Sequence, residues 1–316
     1  MKKEVTFGVI VGNRGFFPDI LAKEGYGEIK KLLKKLGFGI VILNEEDTKY
    51  GAVETWEDAK KCADLFRKNR DEIDGIIVTL PNFGDERAVA DTLRLANLQV
   101  PVLIQAEPDD TNAMGINRRR DSFCGKISVC SNLNQYRIPF TLTTFHTESL
   151  GSKEFLLDLQ SFAGTCRVIR GLKNARIGSM GARPSAFNTV RYSEKLLENY
   201  GITVETIDLS EILGQAEKIS TNDKTLTDEC KKISEYIDVK GVPASAIERM
   251  ARFALVTERW IKEKELNATA IQCWTALETY FGVVPCTCMS MLSERLIPSA
   301  CEVDVCGAVS MYSLSL

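Results

Sequence analysis

Val5–Val11 reads VTFGVIV and runs straight into the turn Gly12-Asn13-Arg14-Gly15. An uncharged run of β-branched and aromatic side chains, closed by a glycine-flanked polar turn, marks a strand buried on both faces with a loop at its carboxyl end. Ile20–Leu36 comes next, with Ile29, Leu32, Leu33 and Leu36 at helical spacing and Gly37 as the stop. The alternation then repeats. Strands are predicted at Phe38–Leu43, Ile73–Leu80 and Val100–Gln105, with helices at Ala59–Phe66 and Glu86–Asn97. Continuous apolar strands separated by helices imply a parallel sheet covered on both faces. The stretch 107–147 shows no clear period and reads as irregular, and Lys153–Leu172 reads as a long helix closing the first unit.

Ala175–Met180 (ARIGSM) and the turn Gly181-Ala182-Arg183-Pro184 repeat the opening pattern of strand, glycine turn and helix. A helix through Val190–Asn199, a strand at Thr203–Leu209, and helices at Asp228–Tyr236 and Pro243–Glu265 are predicted next. They are followed by strands at Ala268–Cys273 and Ser299–Glu302 and helices at Met289–Glu294 and Val305–Leu316. With 316 residues and about 150 per domain, two domains are expected. The reading is two tandem Rossmann-like (flavodoxin-like) parallel-sheet domains, 1–172 and 173–316.

The charges nearly cancel, 40 Lys+Arg against 43 Asp+Glu, which argues against a nucleic-acid binder. Hydrophobic content of 44% and charged content of 26% are those of a globular chain. No apolar run is long enough to span a membrane. The opening MKKEVTFGVIVG has the lysines of an export signal but continues as strand and turn without a cleavage site, so the expectation is cytoplasmic. The 10 cysteines are then read as reduced thiols, mostly packed as small hydrophobes.

Ligands of parallel α/β sheets bind outside the carboxyl ends of the strands, which directs attention to the loops there. Gly8, Gly12 and Gly15 lack the dinucleotide-binding spacing, and no P-loop is present. No G-x-S-x-G occurs, and the single histidine, His146, has few plausible triad partners. Cys273, Cys286, Cys288, Cys301 and Cys306 crowd toward the end of the sequence, but without a C-x-x-C pair the bland reading is core packing rather than zinc. The informative pattern is carboxylates after strand ends. Glu278 follows Gln272-Cys273-Trp274, and Glu302 and Asp304 follow Cys301. Hard cations such as Mg²⁺ or Mn²⁺ take oxygen ligands of this kind. Residue types alone equally allow Glu302 and Asp304 to cap the helix that follows.

AIQCW (Ala270–Trp274), Phe281–Cys286 and PSACEVDVCGAVSM (Pro298–Met311) together resemble the L-fucose isomerase-like sugar isomerases, as does the opening VGNRGFFP. The resemblance implies a Mn²⁺-dependent (or other divalent-cation-dependent) aldose–ketose isomerase that moves a proton through an ene-diol. It implies Asp304 as a metal ligand that also moves protons, and Glu302 as its neighbour on the motif. Glu278 is implied as the second acid, where relatives often place one at the position of Ala276. Gln272 and Trp274 would line the sugar. Arg14 is similar to a family arginine that reaches into a neighbouring subunit, so a homo-oligomer, trimeric or hexameric, is expected. The family also takes a metal-binding histidine from a further C-terminal domain, so the expectation is a chain matching the first two domains of a longer enzyme. A non-catalytic sugar-binding module is the competing class, because two tandem α/β units also describe such proteins. Mn²⁺ dependence separates the two, and stoichiometric Zn²⁺ would point to a third class, a zinc-stabilised interaction protein.

Overall fold

The computed structural model describes residues 5–316, so the two lysines of the N-terminal reading lie outside the described residues. The chain divides into two compact units, one through Ile169 and one from Arg170. The first contains, in order, β1 (Thr6–Val11), α1 (Asp19–Lys35), β2 (Gly39–Val41), α2 (Trp56–Lys68), β3 (Gly75–Leu80), α3 (Glu86–Ala96), β4 (Val102–Ala106), α4 (Ser122–Gln135), β5 (Thr141–Leu142) and α5 (Lys153–Leu172). All its strands pair in parallel, in the order β2-β1-β3-β4-β5. Alternate residues of β1 serve opposite faces: Phe7, Val9 and Val11 pack with Tyr26, Ile29, Leu33, Phe155 and Phe162, while Ile10 joins Phe66, Val89 and Leu93. Each large side chain buried in these layers contributes about 1.5–3 kcal/mol.

The N-terminal ends of α2 and α3 are held by side chains. Thr55 and Asp58 form a capping box on α2, and Asp85 accepts from the Ala88 amide on α3 at 2.8 Å. α1 ends with Gly37 in the left-handed region, as its position after Leu36 predicts. The region 107–147 departs from its irregular reading, since it contains α4 and β5. α4 is weakly amphipathic and carries Gly125, so its sequence reads as loop. Gly125 is there because a Cβ at that position would stand 1.8 Å from the Phe83 carbonyl oxygen. Only glycine lets the helix lie so close to the loop after β3.

The second unit contains β6 (Arg176–Met180), α6 (Glu194–Asn199), β7 (Thr203–Ile207), α7 (Leu209–Glu217), α8 (Lys224–Tyr236), α9 (Ala244–Glu263), β8 (Ala268–Ile271), α10 (Cys286–Glu294), β9 (Ser299–Cys301) and α11 (Val305–Ser315). Its parallel sheet has the order β7-β6-β8-β9. Met180 and Ile271 face a core built with α7, α8, α9 and α10, whereas Ile177, Ala268, Ala270 and Ala300 face Val305 and Ala308 of α11. The helix predicted over 190–199 is interrupted: Ser193 accepts from the Leu196 amide at 3.3 Å and starts α6 afresh. Asp208 likewise caps α7 and ends β7 earlier than predicted. Among the described residues no helix is long and apolar enough to cross a membrane.

Candidate active site

β8 and β9 are neighbours, with Ile271 opposite Cys301, so the segments leaving them emerge side by side. From β8 come Gln272, Cys273 and Trp274; from β9 come Glu302, Val303 and Asp304. The second segment turns sharply. Glu302 and Val303 both lie in the left-handed region, at φ of 60° and 57°. For a β-branched valine this is an outlier that costs on the order of 1–3 kcal/mol, and such strain concentrates at functional sites. The Val303 amide is tied to the Ile271 carbonyl at 3.3 Å, which fixes the turn against the end of β8.

The turn aims the Glu302 carboxylate at two sulfurs. Cys273 Sγ donates to Glu302 Oε1 at 2.7 Å, and Cys301 Sγ lies 3.1 Å from Cys273 Sγ and 3.5 Å from the same oxygen. Burial, reinforced at Cys273 by the hydrogen bond to Glu302, pushes both thiols above the ordinary thiol range, so they are protonated donors at neutral pH. Glu302 Oε2 is buried without a hydrogen-bond partner. A buried carboxylate oxygen left without a donor is costly unless a ligand supplies the missing positive charge.

Asp304 is the N-cap of α11. Its Oδ1 accepts from the Gly307 amide at 2.8 Å. A Cβ on residue 307 would come within 2.5 Å of Oδ2, so glycine is what allows the carboxylate to fold over the helix end. Only Oδ1 is used by the cap. Glu278 stands on a separate single turn of π-helix, Leu277–Phe281. It is exposed and lines a cleft of about 500 Å³ with Ile237, Val242, Met250 and Val284. Glu278 and Asp304 do not join Glu302 in a ligating cluster; among the described residues, that cluster consists of Cys273, Cys301 and Glu302.

Gln272 bridges two loops: its Oε1 accepts from the Ala182 amide and its Nε2 donates to the Trp274 carbonyl, both at 2.8 Å. Gly181, at φ 84°, is required here, because a Cβ would stand 2.3 Å from Gln272 Oε1. The half-exposed Trp274 ring leans on Phe187 at 5.4 Å. In the first unit, Arg14 lies over the Phe83 ring at 4.7 Å and pairs with Glu86 at 3.1 Å. His146 is exposed and meets Phe123 edge-on. The contribution of Cys273 and Cys301 is not visible in the sequence as a spaced motif, since parallel-strand register alone joins residues so far apart.

Two parallel doubly wound units, with polar side chains gathered beyond the strand ends of the second, define a tandem α/β protein whose candidate site lies where such sheets place their ligands. The chain belongs to the fucose/sulfoquinovose isomerase family: residues 8–173 match the family profile described as fucose/sulfoquinovose isomerase, N-terminal domain. It is 24% identical over 315 residues to a sulfoquinovose isomerase of Priestia aryabhattai, covering 99% of this chain and 67% of that one. A sulfoquinovose isomerase of Clostridium sp. (strain MSTE9) is 29% identical over 157 residues, covering 49% and 34% respectively. One of Alkalicoccus urumqiensis is 24% identical over 243 residues, covering 77% and 53%. The matches thus span from about a third to about two thirds of the length of these relatives.

Proposed function

We propose that this chain carries the carboxylate site of a metal-dependent aldose–ketose isomerase acting on a free sugar. Sulfoquinovose, named by the relatives, is the first substrate to assay. Family membership supports the reaction class, and the observation that carries the site is the buried, unpartnered Oε2 of Glu302 on a strained turn. That oxygen suits a hard divalent cation, which takes oxygen ligands and would satisfy it. Glu302 through Oε2 would take Mn²⁺ or another divalent cation; Asp304 through Oδ2 and Glu278 come in as its further acids from the resemblance alone, since both stand outside the Glu302 cluster. When bound, the cation supplies Lewis acidity that eases loss of the proton beside the sugar carbonyl.

The protein's own task is then to move one proton. Asp304 takes it from the carbon next to the carbonyl and returns it to the former carbonyl carbon of the ene-diol, while the hydroxyl proton of the first carbon passes to the former carbonyl oxygen, so no electrons leave the sugar. Gln272 and Trp274, held by the Ala182 amide and by Phe187, present a polar edge and an aromatic face to a sugar ring or chain. Arg14 serves a neighbouring copy in a trimer or hexamer, and the setting is cytoplasmic. The experiment is conversion of sulfoquinovose and of L-fucose by chelator-treated protein before and after Mn²⁺ is restored. Metal-restored conversion is expected. Sugar binding without conversion at any metal concentration would favour a binding module instead.

A further inference from the structure

We propose that Cys273, Cys301 and Glu302 form a second kind of metal site, one for a thiophilic divalent cation such as Zn²⁺ or Cd²⁺. The three donors converge from two chain segments joined by the β8–β9 register, and their ligand atoms all lie within 4.8 Å of one another. Two sulfurs and one carboxylate oxygen make a soft, anionic set, which selects zinc-like ions over Mn²⁺. Sulfurs bound 2.3 Å from a tetrahedral ion stand about 3.8 Å apart. The observed separation is 3.1 Å, so side-chain rotations that part them by about 0.7 Å admit the ion.

Binding replaces the Cys273 S–H···Oε1 hydrogen bond of Glu302 with coordination through Oε1. Each thiol proton passes to solvent as its metal–sulfur bond forms. Among the described residues no Lys or Arg pairs with Glu302, so no resident cation has to be displaced. Three protein ligands leave the fourth tetrahedral position to water, the pattern of an open rather than a closed structural zinc site. This site shares Glu302 with the proposed isomerase site but uses the other carboxylate oxygen and two sulfurs, and its test involves no sugar.

The reduced full chain is titrated with Cd²⁺, whose thiolate charge-transfer absorption reports sulfur ligation, and then challenged with Zn²⁺ or Mn²⁺. A band saturating at one equivalent is expected. It should vanish in Cys273→Ser and Cys301→Ser and persist in Cys286→Ser and Cys306→Ser. Zn²⁺ should displace Cd²⁺, whereas a hundredfold excess of Mn²⁺ should not. Glu302→Gln should weaken binding at least tenfold, the lower end of what even an outer-shell partner costs. Cys273 is buried, so a second measurement uses the wild-type chain: Zn²⁺ should slow alkylation of Cys301 at least tenfold and leave exposed Cys124 and Cys306 unchanged. No band at one equivalent, a band that survives both serine substitutions, or an unprotected Cys301 overturns the proposal.

Discussion

Asp304 joins the two readings of the sequence in one side chain, and a pair of substitutions separates them. Oδ1 caps α11 at 2.8 Å from the Gly307 amide, while Oδ2 is outside the cap. Asp304→Asn keeps a carbonyl oxygen in the capping position, and asparagine caps as well as aspartate. What it loses at the helix end is the favourable charge, about 0.3–1 kcal/mol. Asp304→Ala removes the cap as well, a further loss of about 1 kcal/mol. For a unit of this size each kcal/mol lowers Tm by roughly 2–4 °C, so the asparagine variant should melt near wild type and the alanine variant a few degrees lower. Turnover should behave differently. Removing a general base costs roughly 10²–10⁴ in rate, so both variants should fall by that much in excess Mn²⁺ despite unequal stability. The assay is sugar isomerisation beside differential scanning calorimetry. If Asp304→Asn retains turnover within threefold of wild type, the residue is a cap and nothing more.

His146 contacts Phe123 rather than a carboxylate, so His146→Gln should leave Mn²⁺ affinity within about threefold, well short of the 10–100-fold loss of even an outer-shell partner; a tenfold loss by titration calorimetry contradicts the site assignment. Lys126 is buried, donates to Thr143 at 2.6 Å, and has its pKa lowered by that burial. Between the lowered folded value and the ordinary 10.5 the unfolded chain binds the extra proton, so Lys126 makes stability rise with pH across that window. Urea unfolding of Lys126→Met should lack that component of the slope, and identical slopes in the two proteins count against it. Light scattering at micromolar concentration should give a trimer or hexamer, and a lone 35.2 kDa species defeats the proposed assembly.

The fold was legible wherever hydrophobic periodicity was strong. β1 and β3 are nearly continuous apolar runs, and their buried, parallel environment follows from that alone. α4 was hidden because a glycine needed for close approach and a buried lysine both read as loop. α7 was hidden because Ile207 and Leu209 continue a strand-like alternation, while the Asp208 cap that ends β7 is a single residue. At the candidate site, the CEVD motif coincides with the strained turn after β9, and its carboxylates were readable as either cap or ligand. The structure shows Asp304 capping and Glu302 turned toward sulfur. The meeting of Cys273 with Cys301 depends on strand register, which periodicity does not encode.

Proton transfer between adjacent sugar carbons is the chemistry proposed for the Glu302–Asp304 turn. The most direct measurement is NMR of sulfoquinovose incubated with the Mn²⁺-loaded protein in D₂O. Conversion to the ketose with deuterium entering the sugar at the exchanging carbon, and loss of both in Asp304→Asn, is the predicted result. Conversion or deuterium entry undiminished in Asp304→Asn would contradict the proposed role of this residue.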